Sequence, residues 1–295
     1  MQPSPAARRT VELLSHLAAW PGRAFSVSEL ARALAQNRAT CQAILLSLER
    51  AHWVRRDARK SWTLGAGLIS IGDAAESNLP GIDALRSGVA ALSERLGFEA
   101  LASIETGGQI VVVAHASGPS QSPPAMRVGQ TIPCVPPLGL VFVAWSGDEA
   151  FARWLDRATV PLSRRDVGRF RRAAALAREQ GYCMTLDPLT RRGLGTVVAR
   201  HAREPRSAET VSRRDRLVRA LAHDEYLVVD RDPLRAPLVS QLVAPVFGPD
   251  GEVAAAISLV ASPEQISAGN AGRLTDALLA CARTARAQMA ATRIE

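Results

Sequence analysis

The chain has 295 residues and a formal charge of +8, from 36 Lys+Arg against 28 Asp+Glu, a length that allows two domains with a sizeable core in each. No run approaches a membrane span and the first residues, Met1 to Pro5, hold no apolar leader core, so a soluble intracellular protein is expected, with no membrane partner. Four cysteines stand far apart at Cys41, Cys134, Cys183 and Cys281 with no C-x-x-C spacing and no adjacent His ligand set, and are read most simply as reduced core thiols of a cytosolic protein.

The charge is unevenly placed. Residues 1–72 hold ten Lys+Arg and four Asp+Glu, or +6 of the total, and such a concentration is the electrostatic footprint of a nucleic-acid-binding head on a near-neutral body. All but one of the 36 basic residues are Arg; that bias matches a GC-rich genome, so it is the placement of charge that carries information.

Three short amphipathic helices open the chain. Val11, Leu14 and Ala18 share a face of the first, widened by Leu13, Leu17 and Trp20. In the second, Val27, Leu30, Ala31 and Leu34 recur at i, i+3, i+4 and i+7, and Cys41, Ile44, Leu45 and Leu48 repeat the spacing in the third. Ser26 followed by Glu29 has the spacing of a capping box, Phe25 can staple onto Leu30, and Asn37 can cap the third helix. The next segment, Trp53 to Leu64, reads as a hairpin carrying Arg55, Arg56, Arg59 and Lys60, with Trp53 and Trp62 as cross-strand core partners. A small helical core with a cationic ribbon is a winged helix-turn-helix pattern. In that motif the third helix enters the major groove of double-stranded DNA. With its apolar stripe turned inward, Arg38, Ala39, Thr40, Gln42 and Ala43 are left on or near the outward face. Arg38 suits guanine or a phosphate, Gln42 suits adenine, and Thr40 suits a phosphate or a thymine methyl. The four ribbon cations would grip the backbone or the minor groove and add affinity more than sequence choice.

Residues 67–77 look helical and join the head to the rest. Beyond Pro80, residues 82–96 form another amphipathic helix ending at Gly97, and two β-like runs, 98–105 and 109–115, meet at Thr106-Gly-Gly, a hairpin signal. A Pro/Ser-rich loop and a turn at Val128-Gly-Gln follow. The pattern then predicts a short buried helix over 138–145 and helices over 148–157 and 163–180. Strands over 241–247 and 253–260 are joined by Gly248-Pro-Asp-Gly251, a strong turn, and an Ala-rich helix over 275–292 closes the chain. Between Asp187 and Glu225 lies an insert with nine Arg and six acids, read as helical solvated surface. This order of elements suggests one antiparallel sheet with helices packed around it.

Taken together, these segments resemble the IclR family of bacterial transcriptional regulators. In the head the resemblance rests on Thr10–Leu17 (TVELLSHL), Leu30–Leu34 (LARAL), Asn37–Leu45 (NRATCQAIL) and Ser61–Gly65 (SWTLG). In the body it rests on Arg127–Pro133 (RVGQTIP), Pro137–Ala144 (PLGLVFVA), Arg178–Tyr182 (REQGY) and Ala244–Ser258 (APVFGPDGEVAAAIS). It implies an α+β chain: a winged helix-turn-helix over residues 1–66, a linker helix over 67–79, and a GAF-like mixed α/β body over 80–295 that binds a small-molecule effector and makes a homodimer or a tetramer of dimers. Two departures stand out in the third helix. The family often has Arg where this chain has Ala43, and Ser-Thr where it has Ala39-Thr40, so base preference does not carry over.

An effector pocket is expected between the sheet and the segment Pro133 to Leu140, formed by Cys134, Pro137, Leu138, Gly139, Ser240, Gln241, Ser258 and Val260, with Tyr226 nearby. The resemblance puts Ser258 where the family often uses serines to hold an effector carboxylate, but its same-face neighbour is Val260. So few polar anchors favour a hydrophobic effector, an aromatic or a lipid-derived acid. No cofactor, metal or catalytic residue is expected. The chain lacks G-x-S-x-G, H-E-x-x-H, a Walker loop and a strand-following G-x-G-x-x-G, its five histidines are scattered, and its single lysine lies on the ribbon. The rival reading is a ligand-sensing or enzymatic α/β domain whose head is a protein-interaction module.

Overall fold

In a computed structural model of the chain, the structure describes residues 4–20, 22–79, 81–118, 126–186, 216, 226–229, 239–261, 265–267 and 269–291. The Arg-rich insert, apart from Arg216, lies outside the described residues. The chain divides into two compact units, and the described residues up to Leu79 belong to the first.

The first unit contains helices α1 (Pro5–Ala18), α2 (Val27–Ala33) and α3 (Arg38–Arg50), strands β1 (Val54–Arg56) and β2 (Trp62–Leu64), and helix α4 (Gly67–Ser77). Local chemistry fixes the helix starts. Ser26 and Glu29 form the reciprocal capping box, with the Glu29 backbone N–H donating to Ser26 Oγ and the Ser26 backbone N–H donating to Glu29 Oε2 at 2.8 Å. Asn37 Oδ1 accepts the Ala39 backbone N–H at 2.7 Å. Leu13, Leu30, Leu34, Cys41, Leu45 and Trp62 are wholly buried in one core.

The first helix turns a different face inward from the one its spacing suggests. Leu13, His16 and Leu17 are buried, whereas Val11 is 62% exposed and Ala18 is exposed. Two overlapping stripes exist on this helix, and Phe25 selects between them, since its ring meets His16 edge-on at 5.0 Å and Trp20 at 6.3 Å. The Phe25 backbone also exchanges two hydrogen bonds with Trp62, at 3.0 and 2.8 Å, so the residue before the cap acts as a third strand of the ribbon. The ribbon register pairs Val54 with Leu64, Arg55 with Thr63 and Arg56 with Trp62. Trp62 therefore stands opposite Arg56, while Trp53 joins the same core from the residue before the strand. At Gly65 a Cβ would lie 2.2 Å from the His52 carbonyl oxygen, so the chain leaves the ribbon where only glycine fits. No residue of α4 is buried.

In the second unit, β3 (Glu99–Thr106), β4 (Gln109–Ala116), β5 (Thr131–Pro133), β6 (Cys183–Leu186), β7 (Val239–Phe247) and β8 (Val253–Val260) make one antiparallel sheet in the order β5-β4-β3-β8-β7-β6. Its helices are α5 (Ile82–Leu96), α6 (Leu140–Val143), α7 (Gly147–Asp156), α8 (Arg164–Gln180) and α9 (Ala271–Ala291). Helices α5 and α9 pack on each other and on the central strands, while α6 packs on β7 and β8. With helices against it, β8 reads as a continuous apolar run broken only by Ser258. Three segments depart from expectation. Residues 131–133 and 183–186 are strands, too short for a period-2 pattern to reveal them, and Pro133 is tolerated because β5 is an edge. The helix expected over 138–145 is confined to α6, since Pro136 and Pro137, joined by a cis bond, and Gly139 at φ +81 precede it.

Candidate functional site

Two sites stand out, one on each unit. On the head, the start of α3 presents Arg38, Ala39 and Ala43 exposed and Thr40 and Gln42 half-buried. The ribbon presents Arg55, Arg56, Arg59 and Lys60, all exposed. Two of these cations are steadied from below: Arg55 Nε donates to Thr63 Oγ1 at 3.1 Å, and the Arg56 guanidinium stands 5.5 Å from the Trp62 ring centre. The other two sit in the tip, whose turn is closed by Ser61 N–H donating to Asp57 Oδ1 at 2.7 Å and Lys60 N–H donating to the Asp57 carbonyl at 3.0 Å. Lys60 takes φ +62 there. A fixed ribbon with a cationic tip is suited to backbone contacts on a duplex.

The capping box under this surface carries its own electrostatics. Ser26, through its backbone N–H first and its hydroxyl second, holds the Glu29 carboxyl below the usual range, with Arg23 adding a charge at 3.3 Å. Arg23 also lies 4.5 Å from the Phe25 ring centre. Sequence reasoning missed this link, because the i, i+6 spacing of Arg23 and Glu29 across a helix start has no periodic signature.

In the body, a cavity of about 120 Å³ lies between the sheet and the segment that leads into α6. Of the residues expected there, Pro137, Leu138, Gly139, Gln241, Ser258 and Val260 line it, and so does Tyr226. Cys134 and Ser240 do not. Ser240 neighbours Gln241 on β7, and strand alternation turns it to the other face, where its hydroxyl donates to the Thr185 carbonyl at 3.4 Å. Cys134 sits behind Gly139, where a Cβ on that glycine would fall 2.5 Å from Cys134 Sγ. Burial pushes the Cys134 thiol up to about 12, with Glu105 adding to the rise, so it remains a neutral packing group.

Several lining residues had no signal of their own. Leu101, Ser103 and Val112 come from the β3–β4 hairpin, Cys183 and Thr185 from β6, and Val243 from β7. Only strand register brings them together. The Thr185 hydroxyl is buried and has no hydrogen-bond partner among the described residues. Burial alone pushes the Cys183 thiol up to about 12. No charged side chain lines the cavity among the described residues, and these hold no cluster of three metal-ligating groups. No helix among them is long and apolar enough to cross a membrane.

Comparison with known proteins bears on both units. Residues 6–58 match the IclR helix-turn-helix domain family. The whole chain superposes on an IclR transcriptional regulator from Alicyclobacillus acidocaldarius (TM-score 0.67, 19% identity, 98% of this chain and 100% of that one). It also superposes on the IclR protein of Thermotoga maritima (0.64, 15%, 96% and 98%). An IclR homologue from Microbacterium hydrocarbonoxydans, solved with 4-hydroxybenzoate, is equally similar (0.65, 16%, 97% and 99%). No curated protein matches the chain at a significant level. The fold is therefore that of a chain with a helix-turn-helix head and a mixed helix-and-strand body. The head is an IclR-type helix-turn-helix domain, and the chain as a whole has the architecture of the IclR regulators.

Proposed function

We propose that the chain works as a dimer or a tetramer of dimers, two heads reading paired operator half-sites and an effector in the body cavity changing how the heads fit them. The observation that carries this reading is the pairing of an IclR-type head, with its exposed cations on α3 and the ribbon, with a largely apolar cavity in the body. Arg38 and Gln42 read bases; Ala39, Thr40 and Ala43 lie against the groove; Arg55, Arg56, Arg59 and Lys60 hold phosphates. Pro137, Leu138, Gly139, Gln241, Ser258 and Val260 contact the effector, with Cys134 and Ser240 supporting them from outside the lining. The work is regulatory, not catalytic, and takes place in the cytoplasm.

A gel-shift titration on the DNA upstream of the chain's own gene, across salt, tests it. Wild type binds specifically and weakens steeply with salt, whereas Arg38→Ala/Gln42→Ala loses sequence preference and retains salt-dependent binding. Failure of both proteins to tell that DNA from random sequence at any salt would return the head to the class of protein-interaction modules.

A further inference from the structure

Helix α8 carries six Arg and two acids, Asp166 and Glu179, although residues 73–295 together hold only +2 of the chain's charge. Two of the six have structural work. Arg169 is buried and pairs with Asp166 at 3.2 Å, the carboxylate that also accepts the Ser163 backbone N–H at 3.0 Å to cap the helix. Arg178 Nη1 donates to the Ala144 carbonyl at 2.6 Å, at the end of α6. The other four, Arg164, Arg165, Arg171 and Arg172, are exposed, and among the described residues none of them forms an ion pair. Their spacing puts them on one side of the helix as two pairs, two turns apart.

Folding gains nothing from these four charges. Arg164 and Arg165 open the helix, where the positive end of its dipole disfavours cations. No acid stands three or four residues from any of the four, the spacing at which helical ion pairs form; on α7, by contrast, Arg153 meets Glu149 in that way. The face also offers nothing apolar to hold a partner. Gly168 and Ala175 fill the positions beside the pairs, while Phe170 and Leu176 are turned into the body. A protein partner is anchored by large side chains at the centre of its interface, and a helix on a membrane surface needs such residues beside its cations.

A polyanion needs only charge and the guanidinium fork, which takes two phosphate oxygens at once. The two pairs lie roughly 10.5 Å apart along the axis at the usual helical rise, close to the major-groove width of about 12 Å. A helix laid across the groove therefore sets one pair on each flanking backbone. Duplex DNA is also the polymer that a helix-turn-helix head takes. Once the head is on a duplex, further phosphates of that duplex are presented at an effective concentration on the order of millimolar, and a few contacts suffice.

Resting on the reading of the head as a DNA reader, we infer that Arg164, Arg165, Arg171 and Arg172 make the exposed face of α8 a second DNA-binding surface, one that grips phosphates outside the stretch a head covers and adds affinity without sequence choice.

Fluorescence anisotropy of the full chain with a random-sequence duplex of about 60 base pairs, titrated across salt, decides it. Each phosphate contact adds about 0.9 to the slope of log affinity against log salt, so Arg164→Gln/Arg165→Gln/Arg171→Gln/Arg172→Gln lowers the slope by about three to four units. Its melting temperature stays at or slightly above that of wild type, since no ion pair is lost and two cations leave the helix start. Arg164→Lys/Arg165→Lys/Arg171→Lys/Arg172→Lys keeps the charge and stays within about one unit of the wild-type slope. An unchanged slope in the Gln variant overturns the inference. Equal loss in the Lys variant does too, because a contact made by charge survives that exchange. Loss of heparin retention with the DNA slope intact gives the face to another polyanion and is equally fatal. Arg55→Ala/Arg56→Ala/Arg59→Ala separates the two readings. If it alone loses slope, the head binds DNA and α8 does not. If it keeps the wild-type slope while the Gln variant loses it, the head reading falls and the α8 face stands. Wild type that ignores the duplex even at low salt sinks both.

Discussion

The head and the body's cavity solve recognition in opposite ways. The head wears its chemistry outside, with cations on a short ribbon and a helix start over a core containing Leu13, Leu30 and Trp62. The cavity keeps its chemistry inside, with neutral hydroxyls and an amide on a floor whose described lining carries no charge. The difference follows from the solvent. At a surface, water lowers the cost of a charge and a polyanion is met by many weak, salt-sensitive contacts. In a largely apolar cavity desolvation weighs more, and a neutral polar group costs less to keep than a charge.

Four substitutions break or sharpen that contrast. Trp62→Ala removes the largest fully buried side chain of the head and should cost about 3–5 kcal/mol. Calorimetric melting should then show the head's transition lost or strongly lowered while the body's remains; a shared downward shift would mean that the two units do not melt separately. Gly139→Ala acts on the body instead. It forces a side chain into φ +81 and toward Cys134 Sγ, at a cost on the order of 2 kcal/mol, so the body's transition falls and the head's stays.

Ser26→Ala deletes the capping box and should lower the head's stability by about 1 kcal/mol. It also carries a pH signature. Because Ser26 depresses the folded-state pKa of Glu29, the box stabilises above the unfolded carboxyl pKa, and the gain is lost as pH falls through the lower, folded value. The head's melting temperature should decline with acid more steeply in wild type than in Ser26→Ala; parallel curves would show that the Ser26 hydroxyl adds nothing to the pH dependence that its backbone N–H and Arg23 already give Glu29. The smallest effect on folding belongs to Arg59→Ala, exposed at the ribbon tip, which should leave melting within about 0.5 kcal/mol yet lower the slope of log affinity against log salt by about one unit. An unchanged slope would take the tip off the DNA.

What the sequence by itself determined was whatever rests on neighbours in the chain. The Ser26–Glu29 box, the Asn37 cap, the helix stop at Gly97 and the hairpins at Gly107–Gly108 and Gly248–Gly251 are written in residues three or four apart. The ribbon's four cations lie within six positions, and all four are exposed. The tertiary structure alone decided everything that depends on partners far along the chain. Phe25 and Trp62 chose the buried face of α1. Pairing with β4 and β7 made strands of residues 131–133 and 183–186, which are too short to declare themselves. Register also separated Gln241 from its neighbour Ser240 and set it beside Thr185, 56 positions earlier in the chain. A local pattern reports which way a residue points relative to its own element. Which element it then faces is set by packing between strands and helices, and the cavity exists only at that level.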